Sequence, residues 1–203
     1  MFMRSVLFGL VLFVLQPLAA TPAAASAAPA ENAASGPTRI RIETSLGNIE
    51  AELWPAQAPQ TVASFLGYAD RGFYDGLVFH RVIADFMIQT GGYDQALELR
   101  EPAGRVPNES VGGPRNARGT LAMARQRHPD SADAQFFVNV AANGHLDADG
   151  TRPGYTVFGR VTRGMDVVDR ISMVETGMRE GMRDVPLEHV VVESVRRLPA
   201  GGG

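Results

Sequence analysis

The 203-residue sequence predicts a mainly β domain, a closed antiparallel barrel with two α-helices packed over its ends. Three observations carry that prediction. About seven or eight short apolar segments recur between turn residues; two stretches repeat at helical spacing; and strands and helices do not alternate as they would in a parallel sheet.

The chain opens on a different kind of segment. Met1 to Arg4 gives a short basic start, Val6 to Leu15 an apolar run broken only by Gly9, and Ala19 to Ala30 a tract of small residues with Ala-x-Ala choices at Ala23/Ala25 and Ala25/Ala27. That order predicts a cleaved export signal over 1–25 and a periplasmic or secreted protein. The apolar run is well short of the ~20 residues a spanning helix needs, so no stable membrane insertion is expected after cleavage. With no cysteine to carry a lipid, a lipoprotein is excluded. Residues 26–37, rich in alanine, proline and serine without hydrophobic periodicity, predict a disordered leader before a domain spanning 38–198.

Within that domain Ile40 and Ile42 alternate with charged residues, as do Ile49, Ala51 and Leu53, with Leu46-Gly47-Asn48 between them, which predicts a β-hairpin with one wet face. Pro55 to Thr61 ends the second strand. Val62, Phe65, Leu66 and Ala69 then follow helical spacing, and Gly72 stops the helix. Leu77 to Phe79 and Phe86 to Ile88 predict two further strands. Ala96 to Arg118 is a long loop carrying three prolines, a length usually reserved for function or for wrapping a surface.

Thr120 to Ala124, Gln135 to Val140 and Tyr155 to Val161 predict strands, and Arg125 to Ala134 a polar loop. Met165, Val168 and Ile171 mark a second, short helix. Valine-rich Leu187 to Leu198 predicts the last strand, and 199–203 a flexible tail.

Composition removes whole classes of chemistry. There is no cysteine, hence no disulfide, thiolate metal site or cysteine nucleophile. All 19 basic residues are arginine, so a phosphate-loop lysine and Schiff-base chemistry are both excluded. A net charge of −3 argues against nucleic acid as the main partner. No G-x-S-x-G occurs, and His128, Asp130 and Ser131, though close in sequence, read as a polar turn. The four histidines show no ligand spacing, and Asp147-Ala-Asp149-Gly150 lacks the rest of a calcium loop, so neither metal nor cofactor is expected. Asn108-Glu109-Ser110 matches a glycosylation acceptor only as a short chance pattern.

One stretch organises the rest. Phe79 to Asp94 reads F-H-R-V-I-A-D-F-M-I-Q-T-G-G-Y-D and sets Arg81 among aromatic and aliphatic side chains. A guanidinium is always charged, so an arginine in such company needs an acceptor, and Gln89 is the nearest polar candidate in strand-like surroundings. Strand alternation turns His80 away from whatever Arg81 faces, which argues against a direct role for that histidine.

F-H-R-V-I-x-x-F-M-I-Q followed by Gly-Gly, with L-A-M-A-R and Q-F-F-V-N-V further on, resembles the signature of the cyclophilins, the peptidyl-prolyl cis/trans isomerases, over nearly all of 38–198. With the export signal, it is most similar to their bacterial secreted branch. The resemblance implies a closed eight-stranded antiparallel barrel capped by two α-helices. It also implies a catalytic arginine at Arg81 and a proline pocket of Phe86, Met87, Phe137 and Leu146. Gln89 matches the glutamine that steadies the arginine, and Ala124, Arg125 and Gln135 match the groove for the peptide backbone, where position 125 acts largely through its main chain.

His145 stands where the immunosuppressant-sensitive members carry tryptophan, and Tyr155 where they often carry histidine, so the rim differs while the pocket is kept. Ala84-Asp85 replaces the common Pro-Gly, and Thr90 stands where glycine is usual. The expected partner is a proline-containing unfolded or exported polypeptide met by a monomer. The reaction breaks no bond and asks only that the site favour the twisted amide. A binding module, a periplasmic chaperone gripping proline-containing segments with incidental turnover, would use the same pocket and is the competing expectation.

Overall fold

The computed structural model describes residues 37–150 and 152–199. The proposed export signal, almost all of the leader and the end of the tail therefore lie outside the described residues. Among the described residues no helix is long and apolar enough to cross a membrane.

Among the described residues ten strands and two α-helices form, and eight of the strands make one antiparallel sheet. β1 (Thr38–Thr44) and β2 (Gly47–Leu53) are the expected hairpin, in register from Thr38↔Leu53 to Thr44↔Gly47. Their alternation sends Ile40, Ile42, Ile49, Ala51 and Leu53 into the interior, all fully buried. α1 (Pro59–Asp70) follows, then β3 (Arg81–Ile83), β4 (Met87–Thr90), β5 (Thr120–Met123), β6 (Phe136–Asn139), β7 (Val157–Arg163) and α2 (Met165–Ser172). β8 (Thr176–Arg179) and β9 (Met182–Pro186) form a separate two-stranded hairpin, and β10 is Val192–Arg197.

The large sheet runs β10-β1-β2-β7-β5-β6-β4-β3. Its two ends meet without a continuous ladder. A single bridge, Val78↔Val191, closes the seam, helped by hydrogen bonds from Phe79 N to Val190 O and from Val192 N to Leu77 O. Leu77 to Phe79 is thus a seam rather than the predicted strand, because its neighbour across the gap offers only those few pairings. The strand falls at Arg81–Ile83 instead, and the last strand starts at Val192, not Leu187.

The barrel interior is organised around Phe65, from the buried face of α1. Its ring lies 5.2 Å from each of Tyr74, Phe136 and Phe158. Edge-on and offset contacts of this kind add to the area that three large rings remove from water. α1 has no side-chain cap of its own at Ala58. The long loop supplies one: the Glu109 carboxylate accepts from the backbone N–H groups of Gln60 and Thr61 at 3.1 and 2.9 Å. This is a structural use for a loop of that length, and it places negative charge where the helix dipole favours it.

The hairpin of β8 and β9 was not expected. Its strands read largely exposed on both faces, so the period-two apolar signal of a half-buried strand is missing. It is held by a small core of its own, Val78, Leu97 and Val185, with Met182 and Val191 packed against it.

Candidate active site

β4 and β6 pair with Ile88↔Val138 and Gln89↔Phe137, and β5 and β6 with Leu121↔Val138 and Ala122↔Phe137. Alternation then sorts each strand into two faces. Ile88, Leu121, Phe136 and Val138 fill the barrel, while Met87, Ala122 and Phe137 point outward into a second apolar cluster with Val157. Trp54, Ile83, Phe86, Ala124, Leu146 and Tyr155 pack against this cluster only partly buried. A wall greasy on both faces reads as a continuous apolar run such as Phe136-Phe137-Val138, fully buried throughout.

On that outer face lies a pocket of about 110 Å³ lined by Arg81, Phe86, Met87, Gln89, Ala124, Arg125, Phe137, Leu146 and Tyr155. Cofactor and drug-sized sites run to roughly 300–1,000 Å³, so this one has the size for a single small apolar group. A smaller neighbouring recess of about 100 Å³ shares Gln89, Ala124 and Arg125 and adds Gln126, Ser131, Asp133 and Gln135. Ten of the residues singled out from the sequence thus line one or other of two adjoining recesses. The eleventh, His145, lies exposed just outside, its ring stacked on Phe86 at 5.5 Å and 25°.

The turn that delivers Phe86 runs from Ile83 O to Phe86 N at 3.2 Å, with Asp85 at φ 56°. Aspartate is among the few residues besides glycine that visit that region readily, which explains how Ala84-Asp85 does the work of Pro-Gly. Thr90 ends β4 by donating its hydroxyl to Val78 O at 2.9 Å. Gly92 is required for a different reason: a Cβ there would stand 2.7 Å from Cδ of Gln135, so the Gln135 side chain can lie across it only because it is glycine.

Two expectations about partners are revised. Gln89 faces Arg81 across the β3–β4 ladder, but its amide donates to Gln135 Oε1 at 3.1 Å. The acidic group that Arg81 meets is Asp184 of β9, at 3.7 Å from Nε. Arg125, expected to act through its main chain, also uses its side chain. Its Nε donates to Gly154 O at 3.1 Å, another nitrogen to Pro153 O at 3.3 Å, and the guanidinium lies 4.6 Å over the Tyr155 ring. It therefore fixes Tyr155, which meets Phe137 edge-on at 5.8 Å. One residue earlier, Ala124 N donates to Gln135 O at 3.0 Å, which continues the pairing of β5 with β6.

A buried polar network missed by sequence reasoning holds the rim. Asp147 accepts from the backbone and side chain of Asn116 at 2.7 and 3.0 Å, Asn139 donates to Thr120 Oγ1 at 2.9 Å, and Asn143 donates to Asn139 Oδ1 at 2.7 Å and to Phe86 O at 2.9 Å. Asparagines so far apart in the chain give no local signal. Together they tie the single turn Gly144–Leu146 to the strand wall, satisfying groups that would otherwise be costly to bury.

His80 is buried at 5% exposure, its ring tilted against Tyr93 at 4.7 Å, with no partner for Nδ1. Burial lowers its pKa to about 4 against the opposing Val78 backbone and Gln135 side chain, so the ring is neutral at pH 7. Asn108 is engaged with Gly154 O and the Ser110 hydroxyl, His128 caps a turn at Asp130, and among the described residues no cluster of three metal-ligating side chains occurs.

Comparison with known proteins agrees with this geometry. The family described as "Cyclophilin type peptidyl-prolyl cis-trans isomerase/CLD" matches residues 39–197. A peptidyl-prolyl cis-trans isomerase of Streptomyces antibioticus is 48% identical over 162 residues, covering 78% of this chain and 98% of that protein. One from Acinetobacter baylyi is 46% identical over 159 residues, covering 78% and 85%. A crystal structure of a cyclophilin type peptidyl-prolyl cis-trans isomerase from Cryptosporidium parvum superposes with a TM-score of 0.68 at 20% identity, over 82% of this chain and 100% of that one, a likeness of fold.

Proposed function

This chain belongs to the cyclophilin-type peptidyl-prolyl cis-trans isomerases, and from that membership we propose that it turns X-Pro bonds of exported polypeptides, with Arg81 stabilising the twisted amide. The proline ring occupies the pocket of Phe86, Met87, Phe137 and Leu146. The single observation that carries this reading is that Arg81 borders that pocket of about 110 Å³, a cation at the edge of an apolar recess of one side chain's size.

Rotation about X-Pro faces a barrier of ~18–20 kcal/mol. No bond is made or broken, so the site must only hold the twisted amide better than either planar form. Twisting ends the resonance and leaves a lone pair on the proline nitrogen, to which Arg81 donates. A charge-assisted hydrogen bond made only in that state contributes ~1.5–3 kcal/mol, or roughly ten- to 150-fold in rate. The planar amide is the more dipolar form, so its transfer from water to an apolar pocket lowers the barrier further. Ala124 and Gln135 hold one side of the peptide while the other turns.

A protease-coupled prolyl-peptide assay on purified protein tests the reading. Arg81→Ala should lose at least tenfold in turnover with the fold intact by circular dichroism, and Arg81→Lys should also be poor, because lysine lacks the planar fork. Near-normal turnover in Arg81→Ala would overturn the arginine mechanism.

Export belongs to the same proposal, and what supports it is the order of basic start, apolar run and small residues in 1–25. The mature chain then begins between Thr21 and Pro29. N-terminal sequencing of protein from the native host checks it, and Met1 retained would overturn it.

A further inference from the structure

Arg81 stands between two cavities. On one side is the proline pocket; on the other is a groove of about 370 Å³ whose walls include His80, Tyr93, Gln135 and, from the β8–β9 hairpin, Met182, Arg183 and Asp184. The arginine's side chain is 42% exposed and its strand neighbour Gln89 is occupied with Gln135, so the ladder alone leaves a long, flexible side chain weakly directed. The carboxylate of Asp184 lies across the groove, 3.7 Å from Arg81 Nε. Among the described residues it is the acidic group paired with Arg81.

We propose that Asp184 is a positioning residue of the isomerase site, its carboxylate on β9 drawing the Nε edge of Arg81 to the far side and leaving the Nη edge for the substrate amide. The inference rests on the reading of Arg81 given above. Two further features of the hairpin support it. Asp184 sits at φ 61°, a left-handed conformation inside a strand, which turns its side chain out of the ordinary β alternation. Its neighbour Val185 is fully buried and packs with Val78 and Leu97, so the left-handed residue is anchored one position away. A guanidinium carries its charge in a fixed plane, and an anion paired with one edge biases which edge faces the other way.

The test compares wild type, Arg81→Ala, Asp184→Asn, Asp184→Gly and the double variant Arg81→Ala/Asp184→Gly in the prolyl-peptide assay. Glycine removes the carboxylate and relaxes the left-handed backbone, and asparagine keeps the shape and tolerates it, so loss of folding does not stand in for loss of function. Asp184→Gly should lower kcat about two- to fivefold with KM little changed, the scale of an exposed ion pair, and Asp184→Asn should fall between it and wild type. In the Arg81→Ala background the glycine substitution should cost nothing more. Wild-type kcat in Asp184→Gly beside a tenfold loss in Arg81→Ala overturns the positioning role alone. The same loss from Asp184→Gly with and without Arg81 also overturns it, because the aspartate would then act by another route. Full activity in Arg81→Ala overturns the reading beneath it as well.

Discussion

Gln89 and Gln135 are joined side chain to side chain at 3.1 Å, and both line the smaller of the two recesses. Gln89 is the ladder partner of Arg81, and the Gln135 side chain packs closely against Gly92. The pair behaves as one unit. Replacing either by alanine leaves the other amide without its partner at a half-buried position, at a cost of about 1 kcal/mol, or roughly fivefold in kcat/KM. Gln89→Ala, Gln135→Ala and the double variant should therefore lose similar amounts. A double variant whose loss is the product of the two single losses would show that each glutamine works alone.

The stabilising role of the long loop gives a prediction independent of activity. Glu109 Oε2 accepts from both the backbone and the hydroxyl of Thr61, at 2.9 and 2.7 Å, 48 residues away in the chain. Glu109→Ala leaves the first turn of α1 uncapped, because Ala58 supplies no side-chain acceptor. The expected loss is about 1–2 kcal/mol, or roughly 2–8 °C in Tm. Glu109→Gln keeps an acceptor and should lose less. Calorimetry on the three proteins decides, and an unchanged Tm in the alanine variant would contradict the cap.

What could be read in advance follows from where the signals are local. The β1–β2 hairpin and both helices carry their periodicity within a dozen residues, and the pocket-lining residues sit in or beside apolar runs such as Phe86-Met87-Ile88 and Phe136-Phe137-Val138, the latter unbroken because the strand is buried on both faces. The second layer was not legible. Asp184 belongs to a hairpin with mostly exposed strands, and its relation to Arg81 depends on a left-handed residue that no composition announces. The Asn116–Asn139–Asn143–Asp147 network is likewise made of separate loops and a strand end. Gln89 is the nearest polar candidate to Arg81 in strand-like surroundings, but its amide donates to Gln135.

Stability should depend on pH through His80. Folded, the ring gives up its proton near pH 4 because burial penalises the charged form; unfolded, it does so at 6.5. Between those values the unfolded chain binds more protons, so this contribution is complete above about pH 6.5 and is lost as pH falls toward 4. The loss reaches about 3 kcal/mol at most. His80→Phe should flatten the dependence of Tm on pH across that window. It also removes the unpartnered Nδ1 and keeps a ring against Tyr93, so stability at pH 7 should change by less than about 1 kcal/mol. A variant with the same acid limb as wild type would show that His80 is not the titrating group.

The rim yields the last prediction. His145 stacks on Phe86 from outside the pocket and is itself exposed, at the position that the cyclophilin resemblance matches to a tryptophan of the immunosuppressant-sensitive members. Tryptophan offers a drug a broad apolar face and an indole N–H. Histidine offers a smaller, more easily hydrated ring. Losing much of an aromatic face at ~25 cal/mol per Å², together with a hydrogen bond of ~1 kcal/mol, amounts to a few kcal/mol, or roughly two orders of magnitude in affinity. Wild type should therefore bind cyclosporin weakly, and His145→Trp should tighten binding by up to that factor. Turnover of a short prolyl peptide should change far less, because the pocket of Phe86, Met87, Phe137 and Leu146 does not include residue 145. Titration calorimetry on both proteins measures the first effect and the coupled assay the second. Equal drug affinity in the two would mean that the ring stacked on Phe86 plays no part in holding a ligand that extends beyond the pocket.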